Sequence, residues 1–485
     1  MLSFNLDQRR ARVARRRVVL ALSGMVWLSL SNSLLGTQPR PTAPDAAHAA
    51  ETPLSLADVL ATAARANPRI AASRAQARAA AARVTSASRA PDPQLQLGFM
   101  NYALPRLAPM PVLGMAQLQV MQMLPLGGKL RVAGMAAAAT ASASLARADD
   151  IVWEIRSQAA MTFFDLAAAY TQLDVARETL RLLHDVAQTA EAMYRVGDGK
   201  QADVLRAQLE VSRMTEDTMR MDAMRLALSA RLNALLNRNE DEVLGVPLLP
   251  RFPEEPPTRD WLRTVADRER PMVRAGEDEV RAADANARLM RKELLPDVQI
   301  GVQYGQRAGA MSADATEEMS RRSTERMGSI MLGASVPVFA RSRQLRRRDE
   351  AAAMADMARA DLITLRAETR GRIGEVYASL TSARRLAALY RTTVLPQAEA
   401  TAQSALSAYR VGSVDFMTVL DARMSVNRYR QALAAVVADE GRAWAELEML
   451  TARELLVHVD ATNNGTIGRS RHLLPHLLPL PVPQP

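Results

Sequence analysis

Side chains able to carry chemistry are sparse in this chain. Cysteine is absent, so disulfides, thiolate metal sites, cysteine nucleophiles and a lipid-bearing N-terminal cysteine are not expected. Of the five histidines (His48, His184, His458, His472 and His476), only the last two approach ligand spacing, and a proline lies between them. The stretch LGGKL at 126–130 lacks the upstream glycine and the following Ser or Thr of a phosphate loop. No nucleophile–base signature stands out. Neither an enzyme nor a bound cofactor is expected.

Methionine is the one plentiful reactive type, with 25 copies. Met100, Met110, Met115, Met121 and Met123 crowd one stretch, and Met311, Met319, Met327 and Met331 crowd another. Thioether sulfur suits soft Cu(I) or Ag(I); flexible apolar filling is the plain alternative.

The elements that carry these residues occur twice. Asn67-Pro68 pairs with Arg270-Pro271, and PQLQLGFMNY from Pro93 pairs with PDVQIGVQYG from Pro296, both at an offset of 203 residues. Leu124-Pro125-Leu126 matches Val336-Pro337-Val338, and the ARAD of Ala146–Asp149 recurs at Ala358–Asp361, at an offset of 212. Tyr-Arg-Val-Gly occurs at Tyr194–Gly197 and again 215 residues on, at Tyr409–Gly412. Offsets that grow in order indicate one duplication followed by small insertions.

Each copy follows the same plan. Repeat 1 (50–244) reads as a helix, a β-hairpin at about 94–124, a long helix 129–196, a turn, and a helix 200–237. Repeat 2 (260–456) reads as a helix, a hairpin at about 297–338, a long helix 341–411, a turn, and a helix 415–456. A Pro-rich linker (245–259) separates them, and a Pro-rich tail (457–485) is expected to be disordered. A helix of some 68 residues spans on the order of 100 Å and must pack on others along its length, as coiled-coil-like tubes do. The strands alternate with period two. Leu95, Leu97, Phe99, Leu118, Val120, Val298, Ile300, Val302, Ile330 and Leu332 fall on one face, with Gln, Gly and Met331 between them. Strands of about 9–11 residues are long enough to cross a tilted bilayer path. Four strands cannot close a barrel in lipid, so several copies must supply them.

Charge says less. There are 62 basic and 52 acidic residues, and the first 49 residues alone hold seven Arg against two acids. With no basic stripe interleaved with aromatics, no nucleic-acid partner is expected. That N-terminal segment, a basic n-region before an apolar run broken by Ser and Gly and then Ala47-His48-Ala49, reads as a signal peptide (1–49) rather than an anchor.

The paired halves, the Asn-Pro of the first helix, the P-x-x-G-K of Pro125–Lys129 and the two Tyr-x-Val-Gly turns resemble the TolC-type outer-membrane efflux family, from Ser55 to about Leu456. The P-x-x-G-K variant is closer to its heavy-metal branch. The resemblance implies a mainly α fold with a membrane β-barrel: a homotrimer whose twelve-stranded barrel sits in outer-membrane lipid and continues as a long α-barrel into the periplasm. It implies a periplasmic adaptor and an inner-membrane pump of the proton-driven resistance–nodulation–division type as partners, with the chain itself a passive exit duct. The competing expectation is a periplasmic coiled-coil scaffold or adaptor without channel activity.

On that resemblance, the repeated turns become helix–turn–helix tips that meet the adaptor through Tyr194, Val196, Gly197, Tyr409, Val411 and Gly412. Gly197 and Gly412 suit a left-handed helix-ending position, and Asp198 or Ser413 is expected to cap the helix that follows. Asp421 matches an acidic position of the family's periplasmic constriction and Asp203 its first-half counterpart. Thr418 stands where a second acid is usual, and Val414 where a gate-locking Arg can occur, so the latch differs here.

Overall fold

The computed structural model describes residues 53–103, 108–109, 114–307, 325–336 and 338–456. The expected signal peptide and C-terminal tail, His48, His458, His472, His476, Met110, Met311 and Met319 lie outside the described residues.

Each repeat opens with two helices separated at a proline. Helix α1 (Leu56–Ala66) is capped by Ser55, whose Oγ accepts from Asp58 N at 3.1 Å, and α2 (Pro68–Ser88) starts with proline where its missing N–H costs nothing. Asn67 between them accepts from Arg69 N and donates through Nδ2 to Leu235 O, both at 2.9 Å. In the second repeat, α5 (Arg259–Glu269) and α6 (Pro271–Lys292) meet at Arg270-Pro271. Arg270 has no side-chain oxygen to cap with; the cap comes instead from the other repeat. Asp150 Oδ1 accepts from Met272 N at 3.1 Å with the Arg270 guanidinium beside it at 3.9 Å.

The long helices follow the hairpins. In the first repeat they are α3 (Lys129–Arg195, 67 residues) and α4 (Gln201–Leu235); in the second, α7 (Gln344–Leu389), α8 (Leu395–Arg410) and α9 (Phe416–Thr451). The stretch expected as one helix from 341 to 411 begins at Gln344 and is interrupted by a π-helical turn, Tyr390–Val394. Pro396 is the cause: it has no N–H to give and its ring crowds the carbonyl four residues back. Widening the preceding turn relieves this, and Leu395 N bonds Tyr390 O.

Helix α3 packs against α2, α4, α6 and α9, so it touches both repeats. Its Ala- and Ser-rich first half permits close approach, and Gly134 faces Ser88 with no room for a Cβ. The main core joins Phe163, Phe164 and Leu166 of α3 to Leu232 of α4, Ile373 and Leu380 of α7, and Trp444 and Leu447 of α9. A second apolar cluster, Leu183, Ala190, Met214, Phe416 and Leu420 among others, fastens α3 and α4 to the start of α9 near the turns.

The four long strands make one antiparallel sheet in sequence order: β1 (Gln94–Met100), β2 (Met115–Leu124), β3 (Asp297–Arg307) and β4 (Glu325–Ser335). Strands β2 and β3 join the two hairpins, leaving β1 and β4 as the edges.

Candidate functional site

Register sorts the sheet into two faces. Leu97, Leu118, Tyr304 and Gly328 stand opposite one another across the four strands, as do Leu95, Val120, Val302 and Ile330. Phe99, Val298, Ile300 and Leu332 fall on the same face. Most of this face is exposed, Ile330 at 78% and Leu95 at 68%, with Val298 half-buried. The opposite face carries Gln96, Gln119, Gln303 and Ser329 in one row. Gln303 Nε2 donates to Gln117 Oε1 at 2.6 Å across β2 and β3. A sheet with one greasy and one amide face separates an apolar medium from a wet one. Among the described residues no helix is long and apolar enough to cross a membrane.

The sheet is fastened to the helices by bonds between the repeats whose partners residue types alone do not reveal. Gly127 and Gly128 turn the chain out of β2 with φ of +72° and +69°, which only glycine adopts without strain. Lys129 then points across to the second repeat, donating to Leu295 O at 2.8 Å and Asp297 Oδ1 at 2.6 Å. Lys292 answers in the other direction, donating to Gly127 O. The chain has three lysines (Lys129, Lys200 and Lys292), and two of them are here. Beyond β4, exposed Val336, Val338 and Phe339 lead directly to exposed Arg341, Arg343 and Arg346, an apolar-to-basic border at the foot of the sheet.

The two Tyr-Arg-Val-Gly turns adopt the same conformation. Gly197 and Gly412 have φ of +87° and +72° and nothing within 4 Å of a notional Cβ. Gly197 N donates to Tyr194 O and Gly412 N to Tyr409 O; Asp198 N donates to Met193 O and Ser413 N to Ala408 O, each at about 3 Å. The caps of the following helices differ from expectation. Lys200 precedes α4 without a side-chain bond, and Asp415 caps α9 through Phe416 N at 2.9 Å. Ser413 closes the helix behind it, its Oγ donating at 2.9 Å to Ala408 O, the same carbonyl that its backbone N–H bonds. Val196 and Val411 are exposed apolar residues of the turns, at 74% and 79%, and Tyr194 is exposed as well. Tyr409 is half-buried, edge-on to Phe416 with ring centroids 5.9 Å apart. Burial raises its hydroxyl pKa, and the charges of Asp203, from the first repeat, and Asp415 add to that shift.

Asp421 and Thr418 lie one turn apart on the exposed side of α9, while Val419 and Leu420 between them are buried. Asp203 is half-buried in the first turn of α4. Among the described residues neither aspartate makes an ion pair, and no hydrogen bond joins them. Val414 is half-buried just ahead of Asp415. No group of three or more His, Asp or Glu among the described residues could hold a metal ion.

This protomer fold is shared with known channels. The outer-membrane channel OprN superposes with a TM-score of 0.68 at 20% identity, over 82% of this chain and 89% of that one. CusC gives 0.68 at 17%, over 82% and 92%, and VceC of Vibrio cholerae gives 0.67 at 19%, over 82% and 95%. By sequence, no curated protein matches significantly. The model of the family described as outer membrane efflux protein matches residues 59–238 and 262–453, the body of both repeats. The chain belongs to the outer membrane efflux protein family.

Proposed function

We propose that copies of this chain, three by the family's habit, close their sheets into a barrel in the outer membrane and act as the passive exit duct of a tripartite efflux system. The carrying observation is the sheet itself: apolar on one face, amide-lined on the other, with β1 and β4 unpaired at its edges. Unpaired strand edges are not tolerated in lipid, and identical neighbours supply the missing partners. The helices support the same assembly. Leu205, Leu209, Met219 and Met224 on α4, and Met354, Met357 and Ile363 on α7, are exposed apolar residues on flanks that a neighbouring copy would cover.

In this assembly the paired turns form the far rim of the helical tube. Val196 and Val411 offer the exposed apolar contact for a periplasmic adaptor, with Tyr194 beside them, and Gly197 and Gly412 set the turn. Asp421, repeated around the symmetry axis with Thr418 and seconded by Asp203, makes a ring of negative charge that favours cations at the narrowest point. The energy for transport comes from an inner-membrane pump. Two measurements test the duct: the protein extracted from outer membranes should migrate as a trimer and should open discrete ion conductances in planar bilayers. A water-soluble monomer that leaves bilayers silent defeats the reading and favours a periplasmic scaffold.

A further inference from the structure

Methionine does not follow the other apolar residues of the sheet. Every Leu, Ile, Val, Phe and Tyr of β1–β4 lies on the face assigned to lipid. Met100, Met115, Met121, Met123, Met327 and Met331, all the methionines of these strands, lie on the amide face. In the duct this face is the wet lumen, where hydrophobic burial gives no reason for an apolar side chain. Glutamine, equally long and unbranched, occupies the neighbouring positions and would fill the same space. What methionine adds is the thioether.

The methionines are also grouped. Met121, Gly301 and Met331 are opposite one another on β2, β3 and β4. A Cβ on Gly301 would lie 3.3 Å from Met121 Cγ and 3.4 Å from Met331 Cε, so the two side chains lean over this glycine from both sides. Four residues along β3, past Gln303, a second glycine on this face also meets a methionine. Met115 Sδ would stand 3.2 Å from a Cβ on Gly305, whose partner on β4 is Met327. At Gly301 no side chain stands between Met121 and Met331, which lean in from the strands on either side. Met100, Met123 and Met327 remain exposed, so dense packing does not account for them.

We propose that the lumenal face of the sheet binds soft monovalent cations, Cu(I) and Ag(I), through methionine thioethers, with Met121 and Met331 over Gly301 as the best-formed site. Thioethers stay unprotonated across the biological pH range and favour such ions over hard ones such as Mg²⁺ or Ca²⁺. Several weak, adjacent sites would let a cation be held and passed along rather than trapped. This inference rests on the duct reading, which makes the amide face the lumen, and deepens it by naming a substrate class.

The test uses the full assembly in detergent and in planar bilayers, with silver nitrate in chloride-free buffer as the probe. The chain has no thiol to compete for silver. Titration should show Ag(I) bound by the parent protein, and much of that binding should be lost in Met121→Leu/Met331→Leu and equally in Met121→Gln/Met331→Gln. Potassium nitrate conductance should be the same in all three, which shows that the variants are folded and open. Equal silver binding in parent and variants, or none in the parent, with conductance intact overturns the methionine site and leaves the duct standing. Silence in the bilayer for the parent protein overturns the duct reading instead.

Discussion

Lys129 Nζ lies 2.6 Å from Asp297 Oδ1, joining the first residue of the long helix in repeat 1 to the first residue of the strand in repeat 2. The contact spans 168 residues of sequence and sits where sheet gives way to helix. With Lys292 bonded to Gly127 O in return, it ties the end of the sheet to the start of the long helix from both repeats. Lys129 is buried and Asp297 partly so. Replacing Lys129 by Met should therefore leave the carboxylate and the Leu295 carbonyl without a donor, at a cost of about 1–3 kcal/mol. Thermal dissociation of the detergent-solubilised assembly should occur at a lower temperature. Lys129→Arg should recover part of the loss, because the planar guanidinium fits a site shaped for a compact ammonium poorly.

Gly441 on α9 has no room for a side chain: a Cβ there would come within 2.4 Å of the Phe164 ring, which is itself fully buried. Gly441→Ala should destabilise by about 1–3 kcal/mol through overpacking. Adding Phe164→Leu should restore part of this, so that the double variant is more stable than the sum of the single effects. Circular-dichroism melting of the parent, the two single variants and the double variant decides it.

The turns should behave differently. At Gly412 the surroundings are open, so Ala meets only the left-handed backbone and should cost about 1–2 kcal/mol. Val411→Arg, on a side chain already in solvent, should leave melting and bilayer conductance unchanged and weaken capture of the adaptor in pull-downs of the assembled system. Retention of full adaptor binding by Val411→Arg and Val196→Arg together would remove the turns from that interface.

Glu448 supplies a pH dependence. Its Oε1 accepts from Leu455 N at 2.7 Å and Leu456 N at 2.8 Å, holding the chain where it leaves α9. Burial raises its pKa from 4.5 to about 7, against the lowering effect of those two bonds. Between these values the folded chain holds a proton that the unfolded chain has lost. This contribution to stability is thus complete below about pH 4.5, falls as pH rises through the window, and is gone above about 7. Its size is on the order of 3 kcal/mol. Glu448→Gln keeps an oxygen acceptor for both N–H groups without the charge, so melting followed from pH 5 to 8 should lose this slope. A parallel slope in parent and variant would assign the pH dependence elsewhere.

Asp421 is the candidate for the constriction. Asp421→Ala should relieve block of single-channel current by divalent cations, while Thr418→Ala, one turn away with no charge to lose, should not. Unchanged block in Asp421→Ala removes this residue from the pore's narrowest point.

What could be read from residue types was local. Period-two alternation was visible because register places Leu95, Val120, Val302 and Ile330 in one row, and the turns because Gly197 and Gly412 both need positive φ. Pro396 is equally visible, yet the apolar periodicity continues across it, and that pattern alone does not reveal the π turn at Tyr390–Val394. Ser413 and Asp415 are both good caps, and only the geometry tells which one closes which helix. The contacts of Lys129 with Asp297, Asp150 with Met272, and Gly441 with Phe164 join residues more than 100 positions apart. Their types alone carry no sign of the partner. The proposed gate is harder still, since its charge density would depend on copies of the chain around an axis.

Closure of the sheet by neighbouring copies is the claim on which the rest depends, and the absence of native cysteine makes it directly testable. Cysteines introduced in pairs, one along β1 (Gln96, Leu97 or Gly98) and one along β4 (Ser329, Ile330 or Met331), should oxidise in intact outer membranes to covalent dimers and trimers on denaturing gels in at least one register. Monomer alone from every pair would contradict the account.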